Sequence, residues 1–319
     1  MGPKISVITP THYRNDLLRE TIESVLDQDY EPVEYIVVDD SGEGHAEPVI
    51  EEYDGVEGLI REANGGWAAA FTTGIEASTG EYINFLDDDD YFLDGKLTKT
   101  AELLQENPEV GVSYCGVIRG DDGKFHPKPE VKGDILEDAL RFQAFPLWTG
   151  SMLIERDVLL DCLPLAGMGK DDDLGIELGD TDLKIELAKR TKFDYVDECL
   201  AFYRQESSSL WTGSRRLRKV KQNVQHQRET YDQYPSIRQD LLSSWYKKNG
   251  VYWLHQRLWS PRAIVSFLKA TYHANGGPNK VKSGIGLAAS LFGRPGWNTT
   301  IRLQNFLGDS GSDSNLIKP

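Results

Sequence analysis

The first third of the chain alternates short apolar runs with amphipathic stretches. Ile5-Ser6-Val7-Ile8-Thr9 is a β-rich run closed by Pro10, and from Asn15 to Gln28 the positions Leu18, Ile22, Val25 and Leu26 share one helical face. Tyr35-Ile36-Val37-Val38 predicts a second strand, halted at Asp39-Asp40-Ser41-Gly42. Asn64-Gly65-Gly66 opens a small-residue helix through Ala77, Gly80 stops it, and Tyr82 to Leu86 predicts a third strand. Strands that are apolar throughout are buried on both faces. The pattern therefore predicts an α/β fold with a Rossmann-like, mainly parallel sheet and helices on both faces. Farther on, Val110 to Ile118 predicts a strand with a turn at Asp122-Gly123, and Trp148-Thr149-Gly150-Ser151 enters an apolar run to Ile154. Gly179-Asp180-Thr181-Asp182 opens an amphipathic helix to Arg190, and Phe193 to Val196 reads as a late strand.

Ligands of such sheets sit at the carboxyl ends of the strands. Three of those ends carry Pro10, Asp39-Asp40, and Asp87-Asp88-Asp89-Asp90. Four crowded carboxylates are hard oxygen donors suited to Mg²⁺ or Mn²⁺, ions that bridge protein carboxylates to substrate phosphates. Read alone, the run also fits an acidic solvated loop, but its place directly after a core strand favours a site. Asp180 at a helix start serves equally as an N-cap. Asp39 also fits a turn former, and Trp148 a core residue.

Charge divides the chain. Residues 1 to 212 hold 18 Lys+Arg and 46 Asp+Glu, a net −28, whereas residues 213 to 319 hold 17 and 5, a net +12. The overall −16 excludes a general nucleic-acid binder. Much of the acidic excess reads as a heavily hydrated surface of the kind suited to high salt. The basic segment carries Trp245, Trp253, Trp259 and Trp297, a combination that fits either a membrane interface or a helical extension packed on the acidic body. Cys115, Cys162 and Cys199 have neither disulfide-framework nor zinc spacing, which suits a reducing cytosol. The first residues lack the order of a signal peptide, and the apolar stretch Ile285 to Phe292 is far below the ~20 residues needed to span a bilayer.

The order Ile8-Thr9-Pro10-Thr11, Val37-Val38-Asp39-Asp40-Ser41, Asn64-Gly65-Gly66, Gly80-Glu81-Tyr82-Ile83 and Leu86 to Asp90 resembles family 2 of the inverting glycosyltransferases, which have the GT-A fold. The resemblance covers residues 4 to about 210. Within it, Gly179 to Leu183 looks like the family's acceptor-side acidic motif, and Tyr203-Arg204-Gln205-Glu206 like its terminal tyrosine-arginine motif. It implies that Pro10, Thr11 and His12 line the nucleobase site, with Asp39, Asp40 and Asn64 on the donor side. Asp87 to Asp89 match the aspartate-x-aspartate motif, with Asp89 the expected metal ligand, Asp87 or Asp88 reaching ribose or a metal-bound water, and Glu206 at the place of a ligating histidine. Asp180 is the implied general base, and Trp148, Asp182 and Arg204 are assigned to acceptor or phosphate.

This chain departs from the family pattern at three places. His12-Tyr13 stands where tyrosine-asparagine is usual; Phe71-Thr72 stands where arginine-asparagine is usual, removing the cation beside the diphosphate; and Glu206 replaces histidine. Arg61, Arg204 and Arg215-Arg216 are the candidates to restore that charge.

The expectation is a metal-dependent inverting transferase with a GT-A domain over 1–212 and a basic, aromatic, helical extension over 213–319. Residues 1–118 form its nucleotide-sugar half and 119–212 its acceptor half. The expected donor is a UDP-sugar, and the expected acceptor is a hydroxyl of a lipid-linked or other saccharide in surface glycan or protein glycosylation. The expected location is the cytoplasmic membrane face, met peripherally through the extension and resembling such enzymes in halophiles. A polyprenyl-phosphate monoglycosyl synthase and a non-catalytic sugar-nucleotide-binding or scaffold protein are the alternatives.

Overall fold

The computed structural model describes residues 2–165, 179–204 and 213–298. It divides into two compact units, 1–207 and 208–319.

The first unit begins with β1 (Ile5–Thr11), α1 (Asn15–Leu26), β2 (Val33–Asp39), α2 (Glu47–Ile50), β3 (Val56–Ile60), α3 (Trp67–Ala77) and β4 (Tyr82–Phe85). It continues with β5 (Tyr91–Phe92), α4 (Lys96–Glu106), β6 (Val110–Arg119), β7 (Gly123–Phe125) and α5 (Leu136–Leu140). β8 (Met152–Glu155), α6 (Arg156–Leu160), α7 (Gly179–Ala188) and β9 (Lys192–Tyr203) complete it. One sheet runs in the order β3-β2-β1-β4-β8-β6-β9-β5, with β7 paired to β6. The first four strands are parallel, as the apolar runs predict. β8 is antiparallel to both β4 and β6, and β5 to β9, so the second half of the sheet is mixed.

Pro10 does not close the first strand. β1 continues through it to Thr11, in register with β2. The Ile8 carbonyl accepts from Leu86, so residues 8 and 10 turn their backbone toward β4, whose pairing with β1 ends at Phe85. Proline's missing N–H therefore falls where no ladder partner remains. On α1, Leu18, Ile22 and Val25 are buried, but Leu26 is exposed, and the inward position is taken by Thr21, whose hydroxyl donates to the Asp90 carbonyl at 2.7 Å. β3 carries no strand signal in the sequence because it is a half-exposed edge (Val-Glu-Gly-Leu-Ile). β9 is much longer than Phe193 to Val196 for a related reason: its middle is solvated.

The second unit is helical, as expected, with α8 (Gly213–His226), α9 (Arg228–Gln233), α10 (Pro235–Gln256), α11 (Pro261–His273) and α12 (Gly277–Leu291). Leu254, Ala263 and Phe267 form part of its core. Among the described residues, no helix is long and apolar enough to cross a membrane.

Candidate functional site

The acidic run lies where the parallel strands end. Leu86 still donates to Ile8, and the chain then leaves the sheet as Asp87 to Asp90. Asp88 is buried and accepts from the Thr11 hydroxyl at 2.8 Å, from the His12 backbone, and from Arg14 Nη1 at 3.3 Å. Asp89 accepts from the same Arg14 nitrogen at 2.9 Å. Asp90 is buried and accepts from the Arg204 backbone at 2.8 Å. The Trp67 indole, at the start of α3, hydrogen-bonds Asp87.

Burial and mutual repulsion disturb these acids. Asp87 is pushed up to about 7, first by desolvation and then by Asp89, Asp88 and Asp180. Asp88 is also raised, since the cost of burial outweighs the help of Thr11 and Arg14. Asp90 is raised well above the ordinary carboxylate range by burial and Asp87. The effect of Asp180 on Asp87 brings α7 into this cluster, more than ninety residues away along the chain.

Asp39 and Asp40 are both buried, but they do different things. Asp39 accepts from Ser41 at 2.8 Å and Ala46 at 2.7 Å, folding the loop that follows β2. Asp40 accepts from Arg61 Nε at 2.7 Å and from the Gly65 and Gly66 amides at 3.0 and 2.8 Å. Arg61 also donates to the Ala69 carbonyl and the Thr73 hydroxyl, so it is committed to the start of α3. Gly66 has φ 78°, in the left-handed region that favours glycine, and a Cβ on Gly65 would overlap Arg61. Asn64 is exposed at the head of this loop.

His12 is exposed and turns its ring edge-on to Tyr13. Tyr13 adopts φ 59°, unusual for a bulky residue. It donates to Glu43 at 2.7 Å and packs on His45, so two further rings join the one expected at His12. Phe71 is fully buried between Trp67 and Phe85, which explains how an aromatic is accommodated where the family carries arginine. Thr72 back-bonds to Ala68. Arg14, which the sequence analysis does not single out, is a cation that meets the acidic run.

Asp180 is half-buried and pairs with Lys184 at 2.9 Å, one turn on. Asp182, on the same helix, is buried. Trp148 stacks on Tyr203 with ring centres 5.5 Å apart and meets Phe145 and Phe125 edge-on. Asp90, Asp87 and Asp89, after burial, push Tyr203 up to about 12, so this aromatic wall borders the acids. Arg204 donates through Nε to the Asp89 carbonyl at 3.0 Å and pairs with Glu20, tying β9 to the acidic loop. Arg119, in register with Tyr203, is a further cation on this side. Glu206 lies outside the described residues, as does the side chain of Arg215.

Among the described residues, no three His, Cys, Asp or Glu side chains form a ready-made metal cage. The donor set nonetheless has the chemistry of a hard divalent cation site: carboxylate oxygens at Asp87 to Asp89 whose repulsion a cation would relieve.

A model of glycosyl transferase family 2 matches residues 6–163. TuaG of Bacillus subtilis, a glycosyltransferase assigned by name to teichuronic acid biosynthesis, is 30% identical over 218 residues, covering 65% of this chain and 81% of TuaG. The uncharacterized glycosyltransferase EpsJ of the same organism is 30% identical over 138 residues, which span 42% of this chain and 40% of EpsJ. Among solved structures, residues 1–349 of TarS from S. aureus superpose with TM-score 0.59 at 16% identity, covering 85% of this chain and 81% of that one. The mannosyltransferase PcManGT of Pyrobaculum calidifontis, solved with GDP-Man and Mn²⁺, gives TM-score 0.55 at 19% identity over 97% of this chain and 88% of its own. These likenesses carry the fold, and the GT-A architecture with a helical C-terminal part holds.

Proposed function

The chain belongs to glycosyl transferase family 2 and is a glycosyltransferase, and from that premise we propose that it moves a sugar from a nucleoside diphosphate donor to an acceptor hydroxyl with inversion. The observation that carries this reading is that Asp180, from α7, acts electrostatically on Asp87 in the acidic run, so that carboxylates from separate elements feel one another. Donor and cation chemistry are further supported by PcManGT, bound to GDP-Man and Mn²⁺.

The donor lies along the strand ends. Thr11, His12 and the Asp40–Gly65–Gly66 loop, with Asn64 at its head, frame the nucleoside, with Pro10 and Asp39 shaping the backbone beneath. Uridine is the favoured base. Asp89, with Asp87 and Glu206, would hold Mg²⁺ or Mn²⁺, which when bound supplies positive charge against the departing diphosphate. Arg14 supplies a cation from the chain itself. On the other side of the sugar, Asp180 takes the proton of the acceptor hydroxyl as its oxygen bonds the anomeric carbon and the bond to the diphosphate breaks. Lys184 holds the Asp180 carboxylate in place, and the Trp148–Tyr203 stack gives a saccharide an apolar face to lie on.

The proposed acceptor is a lipid-linked saccharide met at the cytoplasmic face of a membrane. A hydroxyl acceptor needs a base, whereas a polyprenyl phosphate is already ionised. A screen of nucleotide sugars with Mg²⁺ or Mn²⁺ tests the assignment, using a lipid-linked saccharide and bare polyprenyl phosphate as rival acceptors. Turnover must disappear in Asp89→Ala and Asp180→Asn. Full activity in both variants would refute the site.

A further inference from the structure

Between Asp240 and Asp309 the chain has no Asp or Glu and nine Lys and Arg, in a protein that otherwise carries 51 acids. α11 and α12 fall within this stretch and pack together, with the ring of Phe267 pressed against the backbone of Gly286. Their remaining faces are apolar yet open to solvent. Along α11 the outward residues Val265, Leu268 and Tyr272 recur at helical spacing, with Arg262 and Lys269 among them. Along α12 Val281 and Ile285 repeat the pattern behind Lys280.

The two stripes end in a fixed apolar tip. The loop after α10 is tied to the end of α12 by the Trp259 indole donating to Leu291 at 3.2 Å and by Arg294 donating to the Leu258 carbonyl at 2.7 Å. The side chains that this staple presents are exposed: Leu258 at 71%, Phe292 at 76%, with Trp259 and Leu291 beside them. A stable fold has no reason of its own to hold four large apolar groups in water at one place.

We propose that this tip and the α11 and α12 stripes form an interface for an anionic phospholipid surface, with the tip entering the head-group region and Arg257, Arg262, Lys269 and Lys280 meeting the lipid phosphates. The occupant follows from the charge. A two-fold copy of this chain would set an acid-free, cationic face against itself, whereas an anionic bilayer neutralises the cations and takes up the apolar groups. Tryptophan and tyrosine at the edges suit the boundary between head group and acyl chain. The surface extends the reading of a lipid-linked acceptor, and it is tested without donor or acceptor, so the two can fail separately.

The test is co-sedimentation of the full chain with vesicles of phosphatidylglycerol and phosphatidylcholine, against vesicles of phosphatidylcholine alone. The expected result is binding to the anionic vesicles, reduced at least about tenfold in Leu258→Asp/Phe292→Asp and, at low salt, in Lys269→Glu/Lys280→Glu. Circular dichroism melts should be unchanged in both. Equal sedimentation of wild type and variants, or no preference for anionic vesicles, overturns the proposal. So does a concentration-dependent dimer, seen by light scattering, that Leu258→Asp/Phe292→Asp dissolves, because the face would then belong to a second copy.

Discussion

The guanidinium of Arg14 lies 2.9 Å from the Asp89 carboxylate, and the same nitrogen reaches Asp88 at 3.3 Å. One cation from the start of α1 thus offsets two of the four acids at the end of β4. Phe71, at the position where the family places arginine, is buried in the core.

Arg14 and a divalent cation are expected to compete for Asp89. Arg14→Gln should bind Mn²⁺ about three- to tenfold more tightly in the ligand-free protein, the order of one screened unit charge at this range. The same variant should lose kcat/KM, since the diphosphate loses a partner. Isothermal titration with Mn²⁺ reads the first effect; an unchanged affinity would remove Arg14 from the site.

Mn²⁺ should raise the melting temperature of the wild-type protein by relieving repulsion among Asp87, Asp88 and Asp89. The shift should vanish in Asp89→Ala and reverse on adding a chelator. Differential scanning fluorimetry is sufficient to see it.

Asp40 gathers Arg61 and the Gly65 and Gly66 amides. Asp40→Ala strands these donors and should cost about 3 kcal/mol in chemical denaturation, with loss of donor binding. Arg61→Lys should not behave as wild type, because an ammonium cannot span Asp40, Ala69 and Thr73 as the guanidinium does.

Lys96 is fully buried, donates to Asn84 and lies over the Phe92 ring at 4.7 Å. Burial pushes it down from 10.5 to about 7. Between these values the unfolded chain holds a proton that the folded chain has released, so this residue makes stability rise with pH from about 7 toward 10.5. The slope is at most about 1.4 kcal/mol per pH unit. Lys96→Met should flatten the stability profile across this window in urea melts at successive pH values.

Much of the first unit was legible in the sequence because its strands are buried on both faces and its loops carry glycine or aspartate. Ile5, Ile36 and Ile83 mark adjacent parallel strands whose positions follow from apolar continuity alone. The edge strand β3 and the solvated middle of β9 were not legible. A strand that is paired on one edge or exposed along a face carries too little apolar signal, and its existence depends on hydrogen bonds to residues far away. The same limit applied to the site. The acidic run and Asp180 were visible as residue types at helix and strand boundaries, but no spacing announces that Arg14 reaches Asp89, or that Trp148 lies on Tyr203.

What the sequence determined by itself was therefore the chemistry at the strand ends, since the backbone there is dictated by local apolar runs and breakers. Only the tertiary structure decided which charges meet. Arg61 meets Asp40, Arg204 meets the backbone of Asp89, and Arg14 meets the Asp89 carboxylate. Coulomb energies depend on distance through space, and distance along the chain carries almost no information about it.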